Sequence, residues 1–373
     1  MSDQVIKNPV LPQGWLRVLL FGCGFFLLTL LLAATALMTI TGTTLRQLET
    51  NPLPTISGLL TGSYLWLMVL LELVISLVCV AVFRQFVDRR SFMSLGWPLM
   101  GYINEALTGL LMGPGLMGLT AVLLLLSGHL EWTDIVFDPS SFFVSFGLMV
   151  FIAFSEELVF RGYILGNLLD SFSNKWIALG ISAFLFACFH LTNPGMHTLA
   201  FANLFLAGLL LGINYIFTRN LWFSFLFHLT RNFFQGPILG FRVSGLNLPS
   251  VLQADPKGDL FLTGGDFGLE GSILNTAVSL ISLLVPARAF EKNTTPTPRP
   301  ISHRQNPAQP DPPRQRFTPL TNGSYVHLTC SSHPHPTVHA TTRLALNLTA
   351  VHTPTNGSHR VRRFTAHPIK FKA

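Results

Sequence analysis

Charge is what this 373-residue chain has least of: Asp, Glu, Lys and Arg make up 11% of it, against about 25% in soluble domains. That deficit, with a mean hydropathy of +0.48, excludes an ordinary soluble globular protein and leaves the polytopic membrane class. Cysteine is also scarce. The four residues, Cys23, Cys79, Cys188 and Cys330, form no C-x-x-C or other paired spacing. This excludes a disulfide framework and a cysteine zinc site. The first three lie in apolar runs and read as small packing groups. A basic body is missing as well, although the net charge is +7. Residues 1–290 carry 13 Lys and Arg against 15 Asp and Glu, a balance of −2, whereas residues 291–373 carry 11 against 2, a balance of +9. The excess positive charge belongs to the tail, and no nucleic-acid partner is expected.

What the chain does have is long uncharged runs. A spanning helix needs about 20 apolar residues, and candidate runs lie near 15–41, 57–83, 101–127, 141–169, 176–193, 198–217, 221–239 and 270–289. The first is too long for the apolar region of a signal peptide and reads as a first transmembrane helix. The expected fold is therefore an all-α polytopic bundle of about eight transmembrane helices. Arg84, Arg89, Arg90, Lys175 and Arg219 fall on one side of such a bundle, and the acids Glu131, Asp134 and Asp138 on the other. By the positive-inside rule this puts both ends of the bundle in the cytoplasm. Residues 240–269 form a long outer loop, a candidate lid. Beyond about Lys292, Pro, Thr, Ser, Asn and His take over and hydrophobic periodicity stops. A basic tail of that composition is expected to be disordered. So abrupt a break is also what a misjoined gene end produces. The tail holds eight of the twelve histidines, unevenly spaced, so that a metal-binding tail is the lesser alternative to a merely polar one. The expected domains are N-terminal transmembrane helices over 1–84, a core over 85–290 and the tail over 291–373.

The run 141–169 is interrupted at its centre by Phe154-Ser155-Glu156-Glu157-Leu158-Val159-Phe160-Arg161. Ionised groups at membrane depth are costly and mark protein interiors or wet cavities. Glu157 and Arg161, four apart, share a helix face and can pair. Glu156 points about 100° away, which leaves its carboxylate free. Two later runs add polar groups. Phe186-Ala187-Cys188-Phe189-His190 ends one of them, and His228-Leu229-Thr230-Arg231-Asn232 places an imidazole and an amide on one face of another. A carboxylate, two imidazoles and an amide are the inventory for activating a water and stabilising an oxyanion. Arg231 reads as a snorkelling side chain, and His129 and His197 as helix-end residues outside these patterns.

Taken together, E-E-x-x-x-R, F-x-x-x-H and H-x-x-x-N resemble the three motifs of the CPBP (Abi, or CAAX-protease-like) family of intramembrane proteases. All are met without substitution, over roughly residues 85–290. The resemblance implies a multi-pass protein of a bacterial cytoplasmic (inner) membrane that cuts a peptide bond of a membrane-associated protein or peptide. It further implies Glu156, His190, His228 and Asn232 as catalytic residues, with Glu157 and Arg161 supporting. Other membrane protease signatures are missing: there is no H-E-x-x-H, no G-x-S-G serine paired with a helix histidine, and Thr263-Gly264-Gly265-Asp266 misses G-x-G-D.

Two histidines and a carboxylate could ligate zinc, as Glu156, His190 and His228. The alternative is Glu156 as a metal-free base, favoured because no supporting carboxylate for either histidine stands nearby in sequence. Competing readings are a non-catalytic scaffold or bacteriocin-immunity factor on the same fold, and a transporter with a buried ion site. One count is at odds with a common site. At ~1.5 Å per residue, Glu156 lies about 8 Å from the cytoplasmic face and His190 about 21 Å.

Overall fold

A computed structural model describes residues 8–41, 64–293, 325–329, 347–351 and 361–363. The chain divides into two units, Met1–Thr295 and Pro296–Ala373. The first unit is built from helices α1 (Gly14–Thr41), α2 (Leu65–Val82), α3 (Ile103–Leu126), α4 (Pro139–Glu157), α5 (Gly166–Ser171), α6 (Lys175–Phe189), α7 (Thr198–Ile213), α8 (Trp222–Phe233) and α9 (Ile273–Asn293). Five stretches are long and apolar enough to cross a membrane: Gly14–Ala36, Leu65–Val87, Ile103–Leu126, Pro139–Ser171 and Thr198–Thr218. Their outer faces carry Leu27, Leu31, Leu111, Leu126 and Phe143 exposed, surface that only lipid would cover favourably. The protein is thus an all-α polytopic membrane bundle. The remaining expected runs are helical too, but α6 and the apolar part of α9 are shorter. The start of the run at 57 lies outside the described residues.

Helix starts follow local chemistry. Asp138 caps α4 by accepting the Ser141 N–H at 2.8 Å, with Pro139 at the first helical position. Asn174 caps α6 through the Trp176 N–H at 2.9 Å. His197 caps α7, in keeping with its reading as a helix-end residue. Immediately after Glu157 the chain widens into π-helical turns over Leu158–Leu165 before α5. Such expansions gather at functional sites because they re-aim the side chains around them.

Small residues let α8 sink into the bundle. A Cβ on Gly109 would collide with the Phe223 carbonyl, and one on Gly113 with Thr230 and the Arg231 N–H. The two glycines, four apart on α3, form the small-x-x-x-small face on which transmembrane helices approach closely. With α8 also against α4 and α7, His228 is carried to the centre.

Two further features frame this unit. Asp88 is fully buried and paired to Arg17 at 3.0 Å and Arg84 at 2.9 Å, which ties α1 to the end of α2. Strands β1 (Leu130–Ile135) and β2 (Leu252–Pro256) pair antiparallel, Leu130 opposite Pro256 and Ile135 opposite Leu252, with an irregularity between Trp132 and Asp134. The stretch read as a candidate lid is therefore tied down, and Trp132 Nε1 also donates to the Leu239 carbonyl at 3.0 Å. Glu131 and Lys257 pair across the two strands.

In the second unit, β3 (Tyr325–Thr329), β4 (Asn347–Val351) and β5 (Val361–Arg363) form an antiparallel sheet in that order. The rest of the tail, including Cys330, lies outside the described residues.

The depth mismatch disappears once the helix ends are known. Ser171, which ends the helical stretch from Pro139, follows Glu156 by fifteen residues; Lys175, which opens α6, precedes His190 by fifteen. Both therefore stand about 22 Å along their helices from one shared turn. The sequence count failed because it measured Glu156 from the far end of a 33-residue stretch that is longer than the bilayer core.

Candidate active site

Glu156 and Glu157 close the regular part of α4, and their adjacency sends them in different directions. Glu157 is fully buried. Its Oε1 accepts from Arg161 at 2.7 Å, as the four-residue spacing predicts, and also from His228 Nδ1 at 2.8 Å. Arg161 completes its set by donating to the Gly208 carbonyl at 3.2 Å and lying 4.4 Å above the Phe186 ring. A guanidinium and a carboxylate with these partners can remain charged in an apolar bundle; either one alone could not.

The hydrogen bonds fix both histidine tautomers. His228 Nδ1–H donates to Glu157, so its Nε2 carries a lone pair. His190 follows the last residue of α6, and its Nδ1–H donates to the Phe186 carbonyl at 2.9 Å, so its Nε2 carries one too. The F-x-x-x-H spacing thus has a physical meaning: the residue four before the histidine supplies the carbonyl that orients it. The two Nε2 atoms converge on Glu156 Oε2, at 3.6 Å from His190 and 3.9 Å from His228. These gaps exceed direct hydrogen bonds. Glu156 Oε2 is buried and has no hydrogen-bond partner in the protein, an unusual state for a charged acceptor. Asn232, one helical turn beyond His228, lines the same cavity of about 260 Å³, and its Oδ1 is likewise buried without a partner. All six residues singled out from the motifs therefore lie within one small region.

Sequence reasoning missed four neighbours and one connection. Arg231 does not snorkel: it is buried and donates to Glu270 at 2.7 Å, and Glu270 also accepts from Ser244 at 2.6 Å. Arg231, Ser244 and Glu270 line the cavity, as does Glu72 on α2. Glu72 interrupts an otherwise uncharged stretch, the same signal that singled out Glu156. The missed connection is Glu157 to His228. The argument against zinc from lack of a supporting carboxylate is corrected, since Glu157 supports His228 and a carbonyl supports His190. Among the described residues no group of three His, Cys, Asp or Glu side chains is placed to hold a metal ion.

A buried glutamate facing two oriented imidazoles inside a membrane bundle is an arrangement able to activate a water molecule. Residues 138–234 match the family described as type II CAAX prenyl endopeptidase Rce1-like. The chain carries a CAAX-protease-like domain over that stretch, which runs from the cap of α4 to the end of α8 and contains all six motif residues. The family match and the clustered side chains support protease-like enzymatic function. No curated protein sequence matches the chain.

Proposed function

We propose that this chain is an intramembrane endopeptidase that hydrolyses a peptide bond of a membrane-associated protein or peptide, with Glu156 as the base. The observation that carries this reading is the buried, unpartnered Glu156 Oε2 facing two imidazole lone pairs. A water held there donates one proton toward Glu156 and the other toward His190 or His228, so that its own lone pair is turned to the substrate carbonyl. Glu156 takes the first proton as the oxygen attacks. The negative charge that develops on the carbonyl oxygen is received by the Asn232 amide N–H. Glu157 and Arg161 act one step back, holding His228 in the tautomer that leaves Nε2 free. The histidine and carboxylate donor set is that of catalytic zinc sites, in which Glu156, His190 and His228 would hold the ion; among the described residues no group of three such side chains is placed to hold one, and every step rests on the side chains.

A polar centre that only joins helices is built of paired side chains, as Glu157, Arg161 and His228 are, even though Glu157 Oε2 itself has no partner. Glu156 breaks that pattern. The same reading takes eight spans with both ends in the cytoplasm, in a bacterial inner membrane, and a catalytic core over 85–290. It is supported by the side-to-side charge asymmetry and by helices at every expected run except where residues lie outside the described ones. The test is cleavage of transmembrane peptides by purified protein in nanodiscs, followed by mass spectrometry in ¹⁸O-labelled water. New C-termini carrying one label, absent with Glu156→Gln of unchanged thermal stability, support the reading. Equal cleavage by Glu156→Gln, or no labelled product from the intact protein, overturns it.

A further inference from the structure

Glu72 is the only acid in Leu65–Val87, the most apolar of the five candidate spans. Carboxyl groups at membrane depth are expensive and usually functional. No hydrogen bond or ion pair ties Glu72 to another described residue, unlike Asp88 or Glu270, each of which has an arginine. It lines the same cavity as Glu156, His190, His228 and Asn232. Helix α1 also lines the cavity, through Phe26, Thr29 and Leu30.

Two carboxyls in one site can divide into a base and an acid. Glu156, facing two imidazoles, takes the place of the base. Glu72, with no ion pair among the described residues, takes that of the acid. Peptide hydrolysis needs both forms, because an amide nitrogen leaves only if it is protonated as the C–N bond breaks.

We propose that Glu72 is a further catalytic residue, the general acid that protonates the leaving amine. This inference rests on the protease reading above. In the first step a water O–H bond breaks, its proton goes to Glu156, the hydroxide oxygen bonds to the carbonyl carbon, and the C=O π pair moves to the oxygen beside Asn232. In the second step that pair re-forms C=O and the C–N bond breaks. Its electrons stay on nitrogen, which takes the proton from Glu72. Glu156 is left protonated and Glu72 ionised, and transfer of one proton from Glu156 to Glu72 across the cavity restores the starting state. The products are one carboxylic acid and one amine.

The experiment compares a transmembrane peptide that the intact protein cleaves with its depsipeptide, which carries an ester at the cleaved bond. An alcohol leaves with far less need of a proton donor than an amine. General acid catalysis contributes about 10²–10⁴-fold, so Glu72→Gln should lower amide cleavage at least ~100-fold and ester cleavage less than ~5-fold. Glu156→Gln should lose both. Glu72→Asp, which keeps a proton donor of shorter reach, should recover part of the amide activity and also guards against a folding defect in Glu72→Gln. Equal loss on amide and ester, or no loss on either, overturns the assignment while the protease reading stands. An intact protein that cuts neither substrate overturns the protease reading and this inference with it.

Discussion

Removing the Glu157 charge should damage the protein in two separable ways. Glu157 and Arg161 are 0% and 1% exposed, with N···O at 2.7 Å. Glu157→Gln leaves a guanidinium in an apolar interior with only the Gly208 carbonyl and the Phe186 ring for company. Breaking a buried pair from one side costs about 3–5 kcal/mol. The same substitution takes the carboxylate from His228 Nδ1, and loss of a supporting partner of an active-site histidine costs on the order of 10–100-fold in activity. Arg161→Gln should cost a similar stability, about 3–5 kcal/mol, with the His228 contact still in place. The double variant separates the two effects. With neither charge buried, most of the lost stability returns, because a neutral pair has no comparable desolvation cost. Turnover does not return, because His228 still lacks its carboxylate.

The assay is unfolding in mixed micelles alongside peptide cleavage, for the four proteins of the cycle. A double variant whose destabilisation equals the sum of the two singles would show that Arg161 and Glu157 are not coupled as the geometry requires. A double variant with intact turnover would show that His228 needs no support from Glu157.

Two further predictions follow from single contacts. Asn232→Ala should lower kcat by roughly 10²–10³-fold with little change in KM, the pattern of a donor used mainly in the transition state; a loss confined to KM would place Asn232 in substrate binding instead. Asp138→Ala should destabilise the start of α4 in a pH-dependent way. The Ser141 hydroxyl and backbone N–H hold the Asp138 carboxyl below its usual range, so the cap contributes fully above the unfolded value of about 3.9 and is lost as pH falls through the lower folded value. Amide exchange at residues 140–143 should differ between Asp138→Ala and the intact protein near pH 7, and the difference should vanish only as pH falls below the lowered folded value of Asp138; a difference that stays constant through the whole acid range would show the cap does not act through its charge.

The parts of the site that lie along one helix were legible in the sequence. Glu157 with Arg161, Phe186 with His190, and His228 with Asn232 are each four apart, and helix geometry alone brings such pairs together. The separation of Glu156 from Glu157 was legible for the same reason. Contacts between helices were not. Glu157 meets His228 from 71 positions away, and Arg231 meets Glu270 from 39; no local period encodes either. Arg231 misled because a long cation near a helix end can reach water as easily as an acid on a neighbouring helix, and only packing decides. The all-α bundle was visible in the apolar runs. Helix ends were not, because caps such as Asp138 and Asn174 set them to within a residue or two where hydropathy changes slowly.

Glu72 shows how far the same physical rule reaches. In an apolar bundle each ionisable side chain needs a reason to be there, and pairing is the commonest. Glu157 has Arg161, Asp88 has Arg17 and Arg84, and Glu270 has Arg231. These acids hold helices together, and their partners are visible. Glu156 and Glu72 have no cation of their own, and both face the same cavity. No arginine or lysine among the described residues pairs with either, so the interaction that offsets the cost of keeping them in the membrane is with what enters the cavity. Water and a peptide bond meet that need in turn, the first giving a proton to one carboxyl and the second taking a proton from the other.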